Sequence, residues 1–297
     1  MPNAQANGIT IHYQTLGNPE NPPMVLIMGL ASQMVRWPEE FCQDLVDQNL
    51  YVIRFDNRDI GLSTQWNQAG KDEVAAITAK MFAGETVAPP YTLSDMARDV
   101  TGLMDHLGLE KAHICGLSMG GMIAQTTAIN HPDRVLTLTS MQSSPSNPSD
   151  PSLPRTTPEA TEKLLATPPL DRDGYIQHTV ESFRVFATNS PLYDPECEAR
   201  MAEDQFDRGL HPLGVARQFL AVSLGGDRLE KLSKLTMPAL VVHGTADTLI
   251  PSAHGEATAK AIPGARLLLV EGMGHGMAFP STWKDLAREI GRHTNSL

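Results

Sequence analysis

One serine in this chain has small residues two positions before and two after it: Gly116-Leu117-Ser118-Met119-Gly120-Gly121. The short apolar run AHIC precedes it, and a helix-like stretch, GMIAQTTAIN, follows. A strand, a sharp turn and a helix in that order lift a hydroxyl above a sheet edge, and the small flanking residues let strand and helix approach closely. The helix N-terminus favours negative charge developing beside that hydroxyl. These flanks separate the motif from the Gly-x-Ser-x-Gly that loops carry by chance. A serine alone is a weak nucleophile, and it needs a base and an acid that orients the base. With such a turn the acid is expected past a later strand, and the histidine after the last strand. Asp247, in VVHGTADTLIP (241–251), and His275, in LLLVEGMGHGM (267–277), stand in that order. An aspartate after a strand is by itself more often a turn or capping residue, and a loop histidine is more often solvated. Together they point to a Ser118–His275–Asp247 triad and to attack on a carbonyl through an acyl-serine.

The elements that must carry these residues read as a βα alternation. Runs of strand length at 24–28, 51–55, 112–116, 134–140, 239–244 and 265–270 are mostly uncharged and bounded by Gly, Pro or Asp, as expected of parallel strands covered on both faces. Helical spacing recurs at 37–48, 94–107, 253–262 and 282–292. The second of these carries an apolar stripe of Met96, Val100, Leu103, Met104 and Leu107, and Thr92 or Ser94 could cap it. The alternating stretch GITIHYQT (8–15) reads as an antiparallel edge strand. The pattern breaks at SSPSNPSDPSLPR (143–155), whose prolines and serines suit neither a helix nor a central strand. From there to about 226 the chain is richer in charge and helical, with helices expected at 175–186, 196–206 and 215–223. We expect a core of 1–143 and 227–297, and a helical cap of 144–226 over the C-terminal edge of the sheet. An insertion of that size should enclose a pocket, with Phe183, Phe186, Phe206, Phe219 and Leu220 among the candidates to face it.

Composition narrows the function classes. Of 297 residues, 41% are apolar, enough for a full core. With 23 basic and 34 acidic residues the net charge is −11, which disfavours nucleic acid and anionic membrane as partners. The opening residues MPNAQANG lack the basic and apolar regions of a secretory signal, so a cytoplasmic location is expected. Three widely spaced cysteines, Cys42, Cys115 and Cys197, suit neither a disulfide framework nor a zinc site. No Gly-x-Gly-x-x-Gly follows a strand, and no His-x-x-x-His or carboxylate cluster has metal spacing. Neither a cofactor nor a metal is expected. Cys115 and His113 should be buried strand residues, and His254, on the helix after Asp247, should be solvated.

Gly-Leu-Ser-Met-Gly-Gly, His-Gly-Thr-Ala-Asp and Gly-Met-Gly-His-Gly at this spacing resemble the α/β-hydrolase superfamily over nearly the whole chain. The stretches Arg36-Trp37-Pro38 and 51–64 resemble, within it, the aclacinomycin methylesterase-like carboxylesterases. The fold class implied is α/β: a doubly wound, mostly parallel sheet with a helical cap inserted after the sixth strand. The superfamily's usual Asp-x-Arg-Gly-x-Gly turn is here Asp56-Asn57-Arg58-Asp59-Ile60-Gly61, with Asp56 and Arg58 expected to hold that loop. The resemblance implies Ser118 as nucleophile, Asp247 as acid and His275 as base. Its oxyanion hole would be the backbone N–H groups of Met119 and Leu30, with Met28-Gly29 where many relatives have His-Gly. Met28, Met122 and Met277 would line an adaptable apolar pocket. The activity implied is hydrolysis of small-alcohol esters of small to medium apolar acids, with a small-molecule ester as the partner. The same triad serves enol-lactone and carbon–carbon bond hydrolysis, and some members of the superfamily are ligand receptors; sustained turnover of a simple ester separates enzyme from receptor.

Overall fold

The computed structural model describes residues 2–146 and 150–295. Eight strands form one sheet: β1 (Asn3–Ala6), β2 (Ile9–Leu16), β3 (Pro23–Ile27), β4 (Tyr51–Phe55), β5 (Ala112–Leu117), β6 (Val135–Met141), β7 (Ala239–Gly244) and β8 (Arg266–Val270). Their order is β1-β2-β4-β3-β5-β6-β7-β8. β2 is antiparallel to both neighbours, and β4 through β8 run parallel. The helices are α1 (Glu39–Val46), α2 (Lys71–Phe82), α3 (Leu93–His106), α4 (Met119–Asn130), α5 (Pro158–Leu165), α6 (Arg172–Phe186), α7 (Pro195–Asp207), α8 (Pro212–Ser223), α9 (Leu229–Leu232), α10 (Ala253–Ala261) and α11 (Trp283–Thr294).

Side chains of a strand alternate between faces, and here both faces are apolar. In β3, Val25 and Ile27 pack in a layer with Met96, Val100 and Leu103 of α3 and Ile123 of α4. Met24 and Leu26 pack in the opposite layer with Phe41 and Leu45 of α1 and Leu286 and Ile290 of α11. This accounts for strands that read as unbroken apolar runs. α4 is buried along nearly its whole length, so the uncharged stretch around Ser118 is a central strand followed by an interior helix.

Two edge assignments differ from expectation. The stretch at 8–15 is not an edge, because β1 lies outside it. β1 is four residues, NAQA, and its two buried alanines give too little apolar signal to mark a strand. The readable signal was Asn7-Gly8, both at positive φ (49° and 78°), the hairpin turn that joins β1 to β2. At the other side β8 is only partly covered, and Leu269 is 41% exposed. α2 was not anticipated at all. Val74 is its one fully buried residue, and with Ile77 and Met81 it packs on Leu220 and Leu224 at the end of α8, outside the main layers.

Helices α5 to α8 lie between β6 and β7, and polar contacts tie α7 and α8 to the loops that follow β3 and β4. Arg36 and Glu198 pair at 2.6 Å, both buried. Asp56 accepts Met34 N–H at 2.7 Å and Leu62 N–H at 3.0 Å and also pairs with Arg208, so it holds both its own loop and the insert. Arg58 makes a two-point contact with Asp99 of α3, at 2.6 Å on each side. Asp59 stands at φ 69°, the conformation of the glycine that usually fills its place, and an aspartate tolerates it. Its carboxylate takes Arg217 of α8 at 2.7 and 2.8 Å. Gln218 donates to Arg58 O at 2.8 Å and accepts from Ala31 N–H at 3.2 Å.

Breaking one of these pairs from one side leaves a buried charge without its counter-ion. Arg217→Ala is expected to destabilise the protein by about 3–5 kcal/mol, read by urea unfolding. Adding Asp59→Gly should recover part of that loss, because glycine fits the positive φ and carries no charge. A larger loss in the double variant would contradict this account.

Candidate active site

The turn after β5 brings Ser118 to φ 59° and ψ −121°, an angle that side chains rarely adopt. The close approach it needs is possible only with glycine on both sides. A Cβ on Gly116 would run into the Gly120 carbonyl, and one on Gly120 into the Ile27 carbonyl. β6 grips the serine backbone: Ser118 N–H donates to Met141 O at 2.9 Å, and Ser118 O accepts from Ser143 Oγ at 2.8 Å. The Ser118 side chain does not cap α4, and Ser118 Oγ makes no hydrogen bond among the described residues.

Gly29 packs directly over that serine, since a Cβ there would lie 3.1 Å from Ser118 Cβ and 3.6 Å from Ser118 Oγ. The loop of Met28, Gly29 and Leu30 is therefore beside the hydroxyl. Asn57 Nδ2 donates to Met28 O at 2.9 Å, a brace for this loop that comes from the turn after β4. Leu30 N–H has no acceptor among the described residues, and Met119, as the first residue of α4, has no acceptor within its own helix. Two amides near one hydroxyl are the donors that an oxyanion requires.

Asp247 follows β7 and is 5% exposed. Its Oδ1 accepts the N–H groups of Leu249 at 3.0 Å and Ile250 at 2.8 Å, and its Oδ2 lies 2.7 Å from His275 Nδ1. Burial opposes ionisation here, but His275, with His243 behind it, outweighs burial and holds the carboxyl below the ordinary carboxylate range. An ionised Asp247 can only accept, so His275 Nδ1 carries the proton. In the neutral ring Nε2 is then left with a lone pair, the form a base needs. Two loop amides, His275 N–H at 3.2 Å and Thr248 N–H at 3.3 Å, donate to Phe186 O at the end of α6. Phe183 of the same helix fills the space beside Gly276.

The other residues singled out from the sequence fall as follows. Met122 packs in the layer of α3 and α4, and Met28 and Met277 in the layer of α1 and α11; all three are 3–4% exposed. Phe206 packs on Tyr175 within the insert, and Leu220 turns toward α2. His113 is buried, bonded to Thr137 Oγ1 at 2.9 Å, with its pKa lowered by burial to about 4. Burial pushes the Cys115 thiol far up, which leaves no thiolate beside the turn. His254 is buried rather than solvated. Its Nε2–H donates to Pro154 O at 2.8 Å, and its Nδ1 lies 2.9 Å from Ser144 Oγ. The segment after β6 folds back over α10 and covers it, a long-range contact that helix periodicity cannot show. Three residues around the site were not foreseen: Asn57; His243, whose Nε2 is 3.6 Å from Asp247 Oδ2; and Gln142, bonded to Gly276. Among the described residues, no group of three or more His, Cys, Asp or Glu could hold a metal ion, and no helix is long and apolar enough to cross a membrane.

Replacing the acid while keeping its shape tests the Asp247–His275 contact. If the two act as acid and base of a triad, Asp247→Asn should lower kcat by roughly 10⁴-fold with the fold retained, since the amide favours the other imidazole tautomer. Ester turnover and a circular-dichroism melt on the same preparation would read both quantities.

Comparison with known proteins places this arrangement. The chain is 26% identical to the rhodomycin D methylesterase of Streptomyces peucetius, over 97% of this chain and 96% of that one. It is also 26% identical to 3-oxoadipate enol-lactonase 2 of Acinetobacter baylyi, over 43% of this chain and 40% of that one. The solved meta-cleavage product hydrolase of Pseudomonas fluorescens superposes with a TM-score of 0.76 at 20% identity, over 99% of this chain and 97% of that one. The alpha/beta hydrolase fold family model matches residues 22–281. With that match across most of its length, the chain belongs to the α/β-hydrolase fold family.

Proposed function

We propose that the protein is a carboxylic ester hydrolase that works through an acyl-serine. The observation that carries this is the buried 2.7 Å contact of Asp247 with His275, on the loops after β7 and β8, in a chain whose Ser118 occupies the strained turn after β5. In this reading Ser118 Oγ attacks the ester carbonyl as His275 Nε2 takes its proton, and the carbonyl oxygen becomes an oxyanion held by Met119 and Leu30 N–H. His275 then gives the proton to the departing alcohol. Water, losing a proton to the same nitrogen, attacks the acyl-serine, and as the acid leaves His275 returns that proton to Ser118 Oγ. Asp247 keeps its charge throughout and stabilises the imidazolium.

For the substrate we favour small-alcohol esters of small to medium apolar acids. The methylesterase relative supports a small leaving group. Arg36 stands over Phe183, 4.5 Å from its ring, and Glu198 neutralises it, so this cation does not ask for an anionic acyl group. Residues 144–226 act as a cap in this reading, and the ties of Phe186 O to Thr248 and His275 support it. The three cysteines, buried and free, fit a reducing cytoplasmic setting. The enol-lactonase relative supports a second reading in which the scissile ester is cyclic.

Ser118→Ala should leave the fold intact and lower kcat on a p-nitrophenyl short-chain ester by about 10⁴-fold or more, with fluorophosphonate label found on the Ser118 peptide of the unaltered protein. Retained turnover in the alanine variant would remove the proposal. A series varying the acyl and alcohol chains, with enol-lactones as a parallel arm, should give the highest kcat/KM for methyl or ethyl esters of medium apolar acids. Highest activity on emulsified long-chain esters would count against the substrate class, and a preference for lactones would favour the second reading.

A further inference from the structure

We propose that Gln142 is a positioning residue that sets His275 against Ser118; this rests on the triad reading above. Gln142 is the first residue after β6, fully buried, at φ 47°. Its backbone N–H donates to Val242 O of β7 at 2.8 Å. Its side chain makes a two-point contact with a single residue: Oε1 accepts Gly276 N–H at 2.7 Å, and Nε2 donates to Gly276 O at 3.2 Å. A flipped amide would set donor against donor and acceptor against acceptor, so both bonds assign the same orientation. Gly276 lies 134 positions away in sequence and directly follows His275.

The neighbours of Gln142 make this contact more than a local brace. Met141 O accepts from Ser118 N–H, and Ser143 Oγ donates to Ser118 O. Three consecutive residues thus hold both backbone polar groups of the nucleophile and both of the residue beside the base. A buried amide side chain at positive φ is a costly choice for packing alone, where an apolar residue would serve. Its partners are not the turn it sits in but the loop of His275. Proton transfer from Ser118 Oγ to His275 Nε2 needs hydrogen-bond reach, and a displacement of about 1 Å can cost about 100-fold in rate. Loss of the Gln142 contact therefore falls on kcat, while substrate binding and the sheet stay as they are.

The test uses Gln142→Met, which keeps the length and loses both hydrogen bonds, and Gln142→Glu. The readouts are kcat and KM for p-nitrophenyl butyrate, the rate of Ser118 labelling by a fluorophosphonate, and a thermal melt. In Gln142→Met, kcat and the labelling rate should fall together by about 10- to 100-fold, with KM within about threefold of the unaltered protein. In Gln142→Glu a protonated carboxyl can donate to Gly276 O and accept from Gly276 N–H as the amide does, whereas a carboxylate can only accept. Burial raises the pKa of such a carboxyl, so near pH 5.5 this variant should keep kcat within about threefold of the unaltered protein at that pH. Its deficit should grow as the pH rises. An unchanged kcat in Gln142→Met, a loss confined to KM, or a Gln142→Glu no better than Gln142→Met near pH 5.5 would each overturn the proposal. Should Gln142→Met fail to fold, the Gln142→Glu profile decides alone. Ser118→Ala separates the two levels: turnover surviving there defeats the triad reading, whereas an inactive Ser118→Ala beside a fully active Gln142→Met defeats only the role of Gln142.

Discussion

A non-glycine residue keeps the backbone angle of Ser118 only when its surroundings hold it there, and here the end of β6 does the holding. Met141 and Ser143 bind the serine backbone from both sides. Everything else at the site follows from that restraint. Because the turn is sharp, β5 and α4 must nearly touch, which demands Gly116 and Gly120. Because α4 starts at the turn and packs against the sheet, its residues are uncharged all round. Because the turn rises above the strand ends, the loops after β3, β7 and β8 can bring Leu30, Asp247 and His275 to the same edge, where ligand sites of open α/β sheets collect.

Much of this was legible in the sequence, for reasons that differ by element. β3 to β7 are covered on both faces and therefore appear as uninterrupted apolar runs between turn residues. The stretch around Ser118 was readable because sterics leave little choice of residue two positions to either side. β1 and α2 were not, because the first is four residues with two alanines inside and the second buries one side chain fully against another surface helix. Asn57 and Gln142 share a different obstacle. They act by binding backbone 29 and 134 positions away, and no spacing in the chain records such a partner, whereas His243 is only four residues from Asp247 and turns to it because the loop after β7 bends back. His254 is the same case in reverse: its place on the helix suggests solvent, and the segment after β6 buries it.

The insert is bound to the sheet by charge as much as by apolar packing. Arg36–Glu198, Asp56–Arg208 and Asp59–Arg217 each join one partner from the loops after β3 and β4 to one from α7, α8 or the turn between them. Buried pairs of this kind add little net stability over apolar replacements, but each partner alone is strongly unfavourable. Their effect is on geometry: α7 and α8 can dock in one register only, since any other leaves carboxylates or guanidinium groups buried without partners.

That reciprocity bears on how such a chain can change over evolutionary time. Inserts between β6 and β7 look like the freely exchangeable part of this architecture, joined to the sheet at two points of the chain. Here exchange is not free, because Asp56 and Asp59 belong to the sheet's loops while their counter-ions belong to the insert. A foreign insert grafted at the same two junctions would arrive without Arg208 and Arg217 and leave two buried aspartates without counter-ions. Exchanging the segment of α7 and α8 therefore calls for matching changes in the turn after β4, so a new pocket shape cannot be reached by changing the insert alone.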